Sequence, residues 1–223
     1  MKKVTLCIAV CIALLMSMAV SAQNTRIGVI GGVNIANITT DEEDVEPKSL
    51  TAFGVGGVLD FAMGENMSLC LEPMYLQKGS KEDVTEGGFT AEVKVKSNYI
   101  EVPVFLKLYL GSGDTRPYVM AGPTFGFLMS SNMEMSTMGV GVEVDIKEIM
   151  ESIDYGVGFG GGISLPMGRN TLFAEARYTL GLADIFKGGE VEIMEGAAEE
   201  IPDAEIKTKG IQIMAGIMIP LGE

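Results

Sequence analysis

The 223 residues carry 30 Asp and Glu against 16 Lys and Arg, a net charge of −14, yet 47% are hydrophobic and the mean hydropathy is +0.30. So acidic a chain offers no basic surface for nucleic acid. It also contains no histidine, which removes the usual base of Ser-His-Asp hydrolases and the commonest imidazole metal ligand.

The chain opens on Lys2 and Lys3, an apolar run from Val4 to Val20, and the small residues Ser21 and Ala22. A basic head, an apolar core and a small-residue end make a secretory signal peptide, with cleavage expected after Ala22 and one exported domain over 23–223. Cys7 and Cys11 fall inside that core, so Cys70 is the only cysteine of the mature chain and no internal disulfide is expected. After Ala22 no apolar run reaches the length of about 18 residues that a membrane-spanning helix needs.

Eight segments with period-2 alternation follow: Arg26 to Asn37, Thr51 to Ala62, Met67 to Lys78, Val93 to Leu110, Thr115 to Ser131, Ser152 to Leu165, Thr171 to Leu180 and Lys209 to Leu221. The clearest stretch is NYIEVPVFLKLYL, Asn98 to Leu110. There Ile100, Val102, Val104, Leu106, Leu108 and Leu110 share one face, while Glu101 and Lys107 lie on the other. An aliphatic face opposite a charged one suits a strand with lipid on one side and a polar lumen on the other.

The connections alternate in length. Short ones are MGEN (Met63 to Asn66), GSGD (Gly111 to Asp114) and PMGRN (Pro166 to Asn170), all of turn composition. Long ones run Ile38 to Leu50, Gly79 to Glu92, Asn132 to Glu151 and Gly181 to Thr208, and they hold 22 of the 30 acidic residues. Alternating short and long connections predict an all-β, eight-stranded antiparallel up-and-down transmembrane β-barrel with short periplasmic turns and long acidic outer loops. The expected location is the outer membrane, with both termini periplasmic.

Within the strands the remaining charges keep to one parity. Glu72, Glu101 and Glu175 with Lys107 and Arg177 are expected to form an ion-pair network in the lumen, and Asp60 and Asp154 also sit opposite apolar neighbours. A barrel of eight strands is just wide enough for side chains to fill. Phe53, Tyr75, Phe127, Tyr155 and Tyr178 lie on the apolar parity near the long-connection ends, as an interfacial belt would. Gly156, Gly158 and Gly161 spell GxGxxG, but a strand end and turn follow them instead of a helix, which excludes a dinucleotide fingerprint. Pro103, lacking a ladder donor, predicts a bulge.

The order and spacing of GVIGGVNIAN, LEPMYLQKGSK, NYIEVPVFLKLYL, PYVMAGPTFGFLMS, LFAEARYTLGLADI and KGIQIMAGIMIP cover essentially the whole mature chain. In these the chain resembles the PorT-like family of outer-membrane β-barrel proteins of Gram-negative bacteria. The resemblance implies an eight-stranded outer-membrane barrel and, for one named member, a role in protein secretion. The chain departs from the aromatic C-terminus common among outer-membrane barrels by ending Pro220, Leu221, Gly222, Glu223.

The leading expectation is therefore a barrel with a filled lumen and a structural or interaction role through its extracellular loops. No catalytic, cofactor-binding or metal residue is assigned, and no cofactor is expected. The alternative is a PorT-like component of a secretion apparatus. Expected partners are outer-membrane lipid and lipopolysaccharide, with other envelope or secretion proteins as further candidates. A third expectation is divalent-cation binding by Asp41, Glu42, Glu43, Asp44 and the seven carboxylates between Gly188 and Glu205, since hard cations take oxygen ligands. A carboxylate pair such as Glu101 and Glu175 working as acid and base is weaker than a structural reading of the same residues.

Overall fold

The computed structural model describes residues 25–40, 47–86, 89–111, 113, 115–137, 140–194, 197–201 and 204–221. The expected signal peptide and the run from Asp41 to Asp44 lie outside them. Among the described residues are twelve strands: β1 (Thr25–Thr40), β2 (Lys48–Ala62), β3 (Met67–Leu71), β4 (Met74–Glu86), β5 (Phe89–Tyr109), β6 (Arg116–Thr137), β7 (Val140–Asp145), β8 (Ile153–Met167), β9 (Asn170–Gly181), β10 (Gly189–Met194), β11 (Ala197–Ile201) and β12 (Ile206–Pro220).

Antiparallel pairing closes eight staves into a ring, in the order β1, β2, β3 with β4, β5, β6, β8, β9, β12 and back to β1. β3 and β4 are one stave interrupted at Glu72 and Pro73, since Leu71 opposite Val104 and Met74 opposite Glu101 keep a single register. Closure leaves no ring strand with an unpaired edge, as a chain crossing lipid requires.

The pitch of the ring can be read from its partners. From Thr25 the pairs run to Phe61, Leu69, Leu106, Ala121, Phe159, Tyr178 and Ile211, and return to β1 at Ile35, ten residues beyond the start. Eight strands with a stagger of ten residues tilt by about 40° to the barrel axis, given ordinary strand spacing and rise.

Pro103 carries no bulge. It pairs with Thr124 and Leu106 pairs with Ala121 in unbroken register. Its backbone faces the interruption in the neighbouring stave, where the Glu72 N–H donates to the Pro103 carbonyl at 3.1 Å, so the ladder to β6 loses nothing. The bulge lies higher: Asn98 pairs with Ser130 and Tyr99 with Leu128, leaving Met129 as the extra residue on β6.

Two of the long connections are largely strand. β4 and β5 stay paired up to Glu86 opposite Phe89, β5 and β6 up to Glu92 opposite Ser136, and β6 and β7 up to Thr137 opposite Val140. A sheet thus projects beyond the ring at the long-connection end, and the last connection adds the separate hairpin of β10 and β11. Charged and apolar residues keep alternating here: Lys94, Lys96 and Glu134 share one face, while Val95, Met133 and Val144 on the other pack against the apolar cluster of Ile146, Ile149 and Ile185. Cross-strand ion pairs also bridge the projection, with Lys96 Nζ 2.6 Å from Glu134 and Lys48 Nζ 2.7 Å from Asp83.

Around the ring the alternation separates two surfaces. Val29, Val55, Leu108, Val119, Phe159, Leu180 and Ile213 all point outward and are exposed, one from nearly every stave. The outward aromatics include Phe53, stacked on Tyr75 at 5.7 Å, and Phe159, stacked on Tyr178 at 5.6 Å. Inward positions are buried, and glycines fall where large inward side chains need room. A Cβ at Gly158 would stand 2.8 Å from the Phe105 ring. The glycines of the GxGxxG stretch therefore make space within a strand. No helix among the described residues is long and apolar enough to cross a membrane.

Candidate functional site

The interior is built in three tiers along the axis. Midway lies a closed quartet of charges from three staves: Glu72 at the β3–β4 interruption, Lys107 on β5, and Glu175 with Arg177 on β9. Lys107 Nζ donates to Glu72 Oε1 and to Glu175 Oε2, each at 3.0 Å. Arg177 Nη1 donates to Glu72 Oε2, and to Glu175 Oε1 at 3.1 Å. Each cation thus bridges both carboxylates, and the four charges sum to zero.

The surroundings supply the remaining donors and acceptors. Tyr118 donates to Glu175 Oε2 at 2.7 Å, Arg177 Nε to Gln212 at 2.6 Å, and the Cys70 thiol to Glu72 Oε1 at 3.3 Å. Aromatic faces flank the cations, with Lys107 5.0 Å from the Tyr118 ring centre and Arg177 5.1 Å from that of Phe105. All four charged side chains are almost wholly buried, Glu72 at 0% and Arg177 at 2% exposure. Such a cluster persists only because every partner is present, since one unpaired buried charge costs several kcal/mol.

Towards the short turns, Ser68 donates to Asp60 Oδ2 at 2.8 Å, and Arg26 stands 4.0 Å from Asp60 Oδ1. Towards the long connections lies a second charge cluster. Lys78 on β4 forms ion pairs with Glu101 and with Asp154, the latter at 3.0 Å, and Thr208 donates to the same Asp154 oxygen at 2.9 Å. Two carboxylates face one ammonium, so this cluster carries one net negative charge.

Above it the connections fold back over the mouth. Ile146, Ile149 and Met150, around the 3₁₀ turn Lys147–Ile149, pack with Ile185, Tyr99 and Leu128 as an apolar cluster separate from the main core. The bridge between Met150 and Phe186 ties the two connections together. Between this cap and Lys78 lies a cavity of about 150 Å³, walled almost entirely by apolar groups.

The expected lumenal set is therefore only partly one network. Glu72, Glu175, Lys107 and Arg177 meet as anticipated, whereas Glu101 belongs to the upper cluster with Lys78 and Asp154. Lys78 was missed as a partner, although it shares the inward parity of Glu72, Met74 and Leu76. The cap was missed because Ile146 to Met150 and Ala183 to Phe186 are short apolar islands in acidic surroundings. Among the described residues no group of three or more Cys, Asp or Glu is arranged to hold a metal ion. The side chains of 190–203, which carry most of the expected loop carboxylates, lie outside the described set.

Residues 21–187 match the family model described as outer membrane protein beta-barrel domain. Among solved structures, a major outer membrane protein of Thermus thermophilus aligns with a TM-score of 0.51 at 10% identity, over 86% of this chain and 99% of that one. OprG of Pseudomonas aeruginosa aligns at 0.49 and 12% identity, covering 88% and 96%. Neisserial surface protein A aligns at 0.44 and 10% identity, also covering 88% and 96%. Identities this low speak to the fold alone. No curated protein matched the sequence.

Proposed function

The chain belongs to the outer membrane protein beta-barrel domain family, and from that premise we propose that it is a non-conducting, non-catalytic barrel that works through its outer surface. The single observation carrying this reading is the neutral quartet of Glu72, Lys107, Glu175 and Arg177, whose hydrogen bonds join staves on different sides of the ring. An ion entering the lumen would have to break several charge-assisted bonds at once. We assign the short turns and both termini to the periplasm and the projecting sheet to the cell exterior, with lipid around the girdle and lipopolysaccharide around the acidic connections. The projecting strands offer a partner a β-rich platform rather than loose loops.

Reconstitution into planar bilayers tests the closed lumen. The native barrel is expected to give no stepwise conductance, and regular channel openings from homogeneous protein would refute the reading. Removing the sheet tip, residues 82–91, should abolish partner cross-linking while leaving the barrel folded.

A finer reading, supported by the motif order shared with PorT-like proteins, is a component of a secretion apparatus. A deletion strain whose secreted proteome is unchanged would end it.

A further inference from the structure

The cavity at the long-connection mouth is a recessed, partly open space with an unusual floor. Its walls are the apolar side chains of the cap and upper staves, Val95, Met133, Ile149, Met150 and Ile185 among them. Its polar lining includes Lys78 and Tyr99. Tyr99 is fully buried, yet its hydroxyl makes no hydrogen bond among the described residues, which leaves both its donor and its acceptor capacity unused. Buried hydroxyls ordinarily find partners, so an orphan beside an empty space marks a place where a guest supplies one. Lys78 forms ion pairs with Glu101 and Asp154, and its ammonium, 5.2 Å from the centre of the Tyr99 ring, has a third N–H beyond those two partners.

We propose that this cavity binds a neutral, ring-sized or short-chain apolar molecule bearing one hydroxyl group. Size follows from volume, since a cavity of about 150 Å³ lined by aliphatic and aromatic groups holds a benzene-sized guest. The head group follows from the floor. A hydroxyl both donates and accepts, so it can satisfy the Tyr99 hydroxyl and the last Lys78 proton together. A carboxylate would add a third negative charge beside Glu101 and Asp154, and an ammonium would face Lys78 directly. A purely apolar guest would leave Tyr99 unpaired. The site is independent of whether the outer strands also meet a protein partner and of whether the lumen conducts.

The test uses the full barrel in lipid nanodiscs with carbon-13 methionine methyls. Met133 and Met150 line the cavity, while Met120 and Met214 report from the main core. Benzyl alcohol is expected to shift the first pair saturably and leave the second unmoved, at concentrations at least tenfold below those needed for benzoate or benzylamine. Toluene should bind several-fold more weakly than benzyl alcohol. Tyr99→Phe, which keeps the cavity's shape, should erase most of that preference, and Ile149→Trp should fill the space and remove the shifts. No saturable shift of Met133 and Met150, equal shifts of all four methionines, or binding of benzoate, benzylamine or toluene as tight as that of benzyl alcohol would each overturn the proposal.

Discussion

Arg177 makes hydrogen bonds to Glu72, Glu175 and Gln212 while stacking over Phe105, so replacing it uncovers two buried carboxylates at once. Arg177→Met is expected to cost about 3–5 kcal/mol, read as a lowered urea midpoint for the barrel in vesicles. Replacing Lys107 and Glu175 together by Met and Gln should cost less than the two single changes summed, because the second removes the charge that the first strands. Cys70, fully buried and bonded to Glu72, should resist thiol reagents in the folded barrel and react once the barrel is unfolded. The quartet was legible in the sequence because a period of two forces Glu72, Lys107, Glu175 and Arg177 to one face. Parity says nothing of height along the axis, so it cannot separate Glu101 from the quartet or bring Lys78 to it as its cation.

Strand ends show how far periodicity carries. Within the ring, lipid on one side and side chains on the other keep the alternation clear, and the eight staves fall where it places them. Beyond the ring Met133, Met135, Val142 and Val144 still alternate with polar and charged residues, but short strands rich in Glu, Lys and Ser read as loops. The stave before that transition depends on Gly79, whose φ of +144° favours glycine, and where a Cβ would stand 1.9 Å from the Val95 carbonyl oxygen. Gly79→Ala should therefore impair folding, whereas Gly57→Ala, facing outward with its nearest neighbour at 3.8 Å, should be tolerated. The heat-dependent gel shift of the two variants compares them directly. In the projecting sheet, the hydrogen bond and positive charge of Lys48 hold the Asp83 carboxyl below its ordinary value of 3.8. A lowered folded value means that this pairing contributes above the unfolded value and is lost as pH falls through the folded one. Lys48→Ala should move the Asp83 titration up towards its ordinary value by NMR, with Lys81 still lowering it, and should not move the gel shift, since exposed pairs contribute little.

At the scale of the whole molecule, fold class followed from the alternation of short and long connections, which only an up-and-down ring explains simply. The expected laboratory signature is a band from the outer-membrane fraction that changes mobility on denaturing gels only after boiling. A soluble, unshifted protein would contradict the barrel. What a single sequence could not convey is the closing of the mouth, because Ile149, Ile185 and Phe186 come together through two connections far apart in the chain. The quartet is also drawn as two pairs from the two halves of the chain. Glu72 and Lys107 come from adjacent staves of the N-terminal half, and Glu175 and Arg177 from a single strand of the C-terminal half, so each half brings a pair that is already neutral. A nascent sheet can enter the bilayer without carrying those charges bare, and docking of the halves only exchanges partners. Asp154 is the exception, for its cation Lys78 lies across the ring and reaches it only when the cylinder shuts.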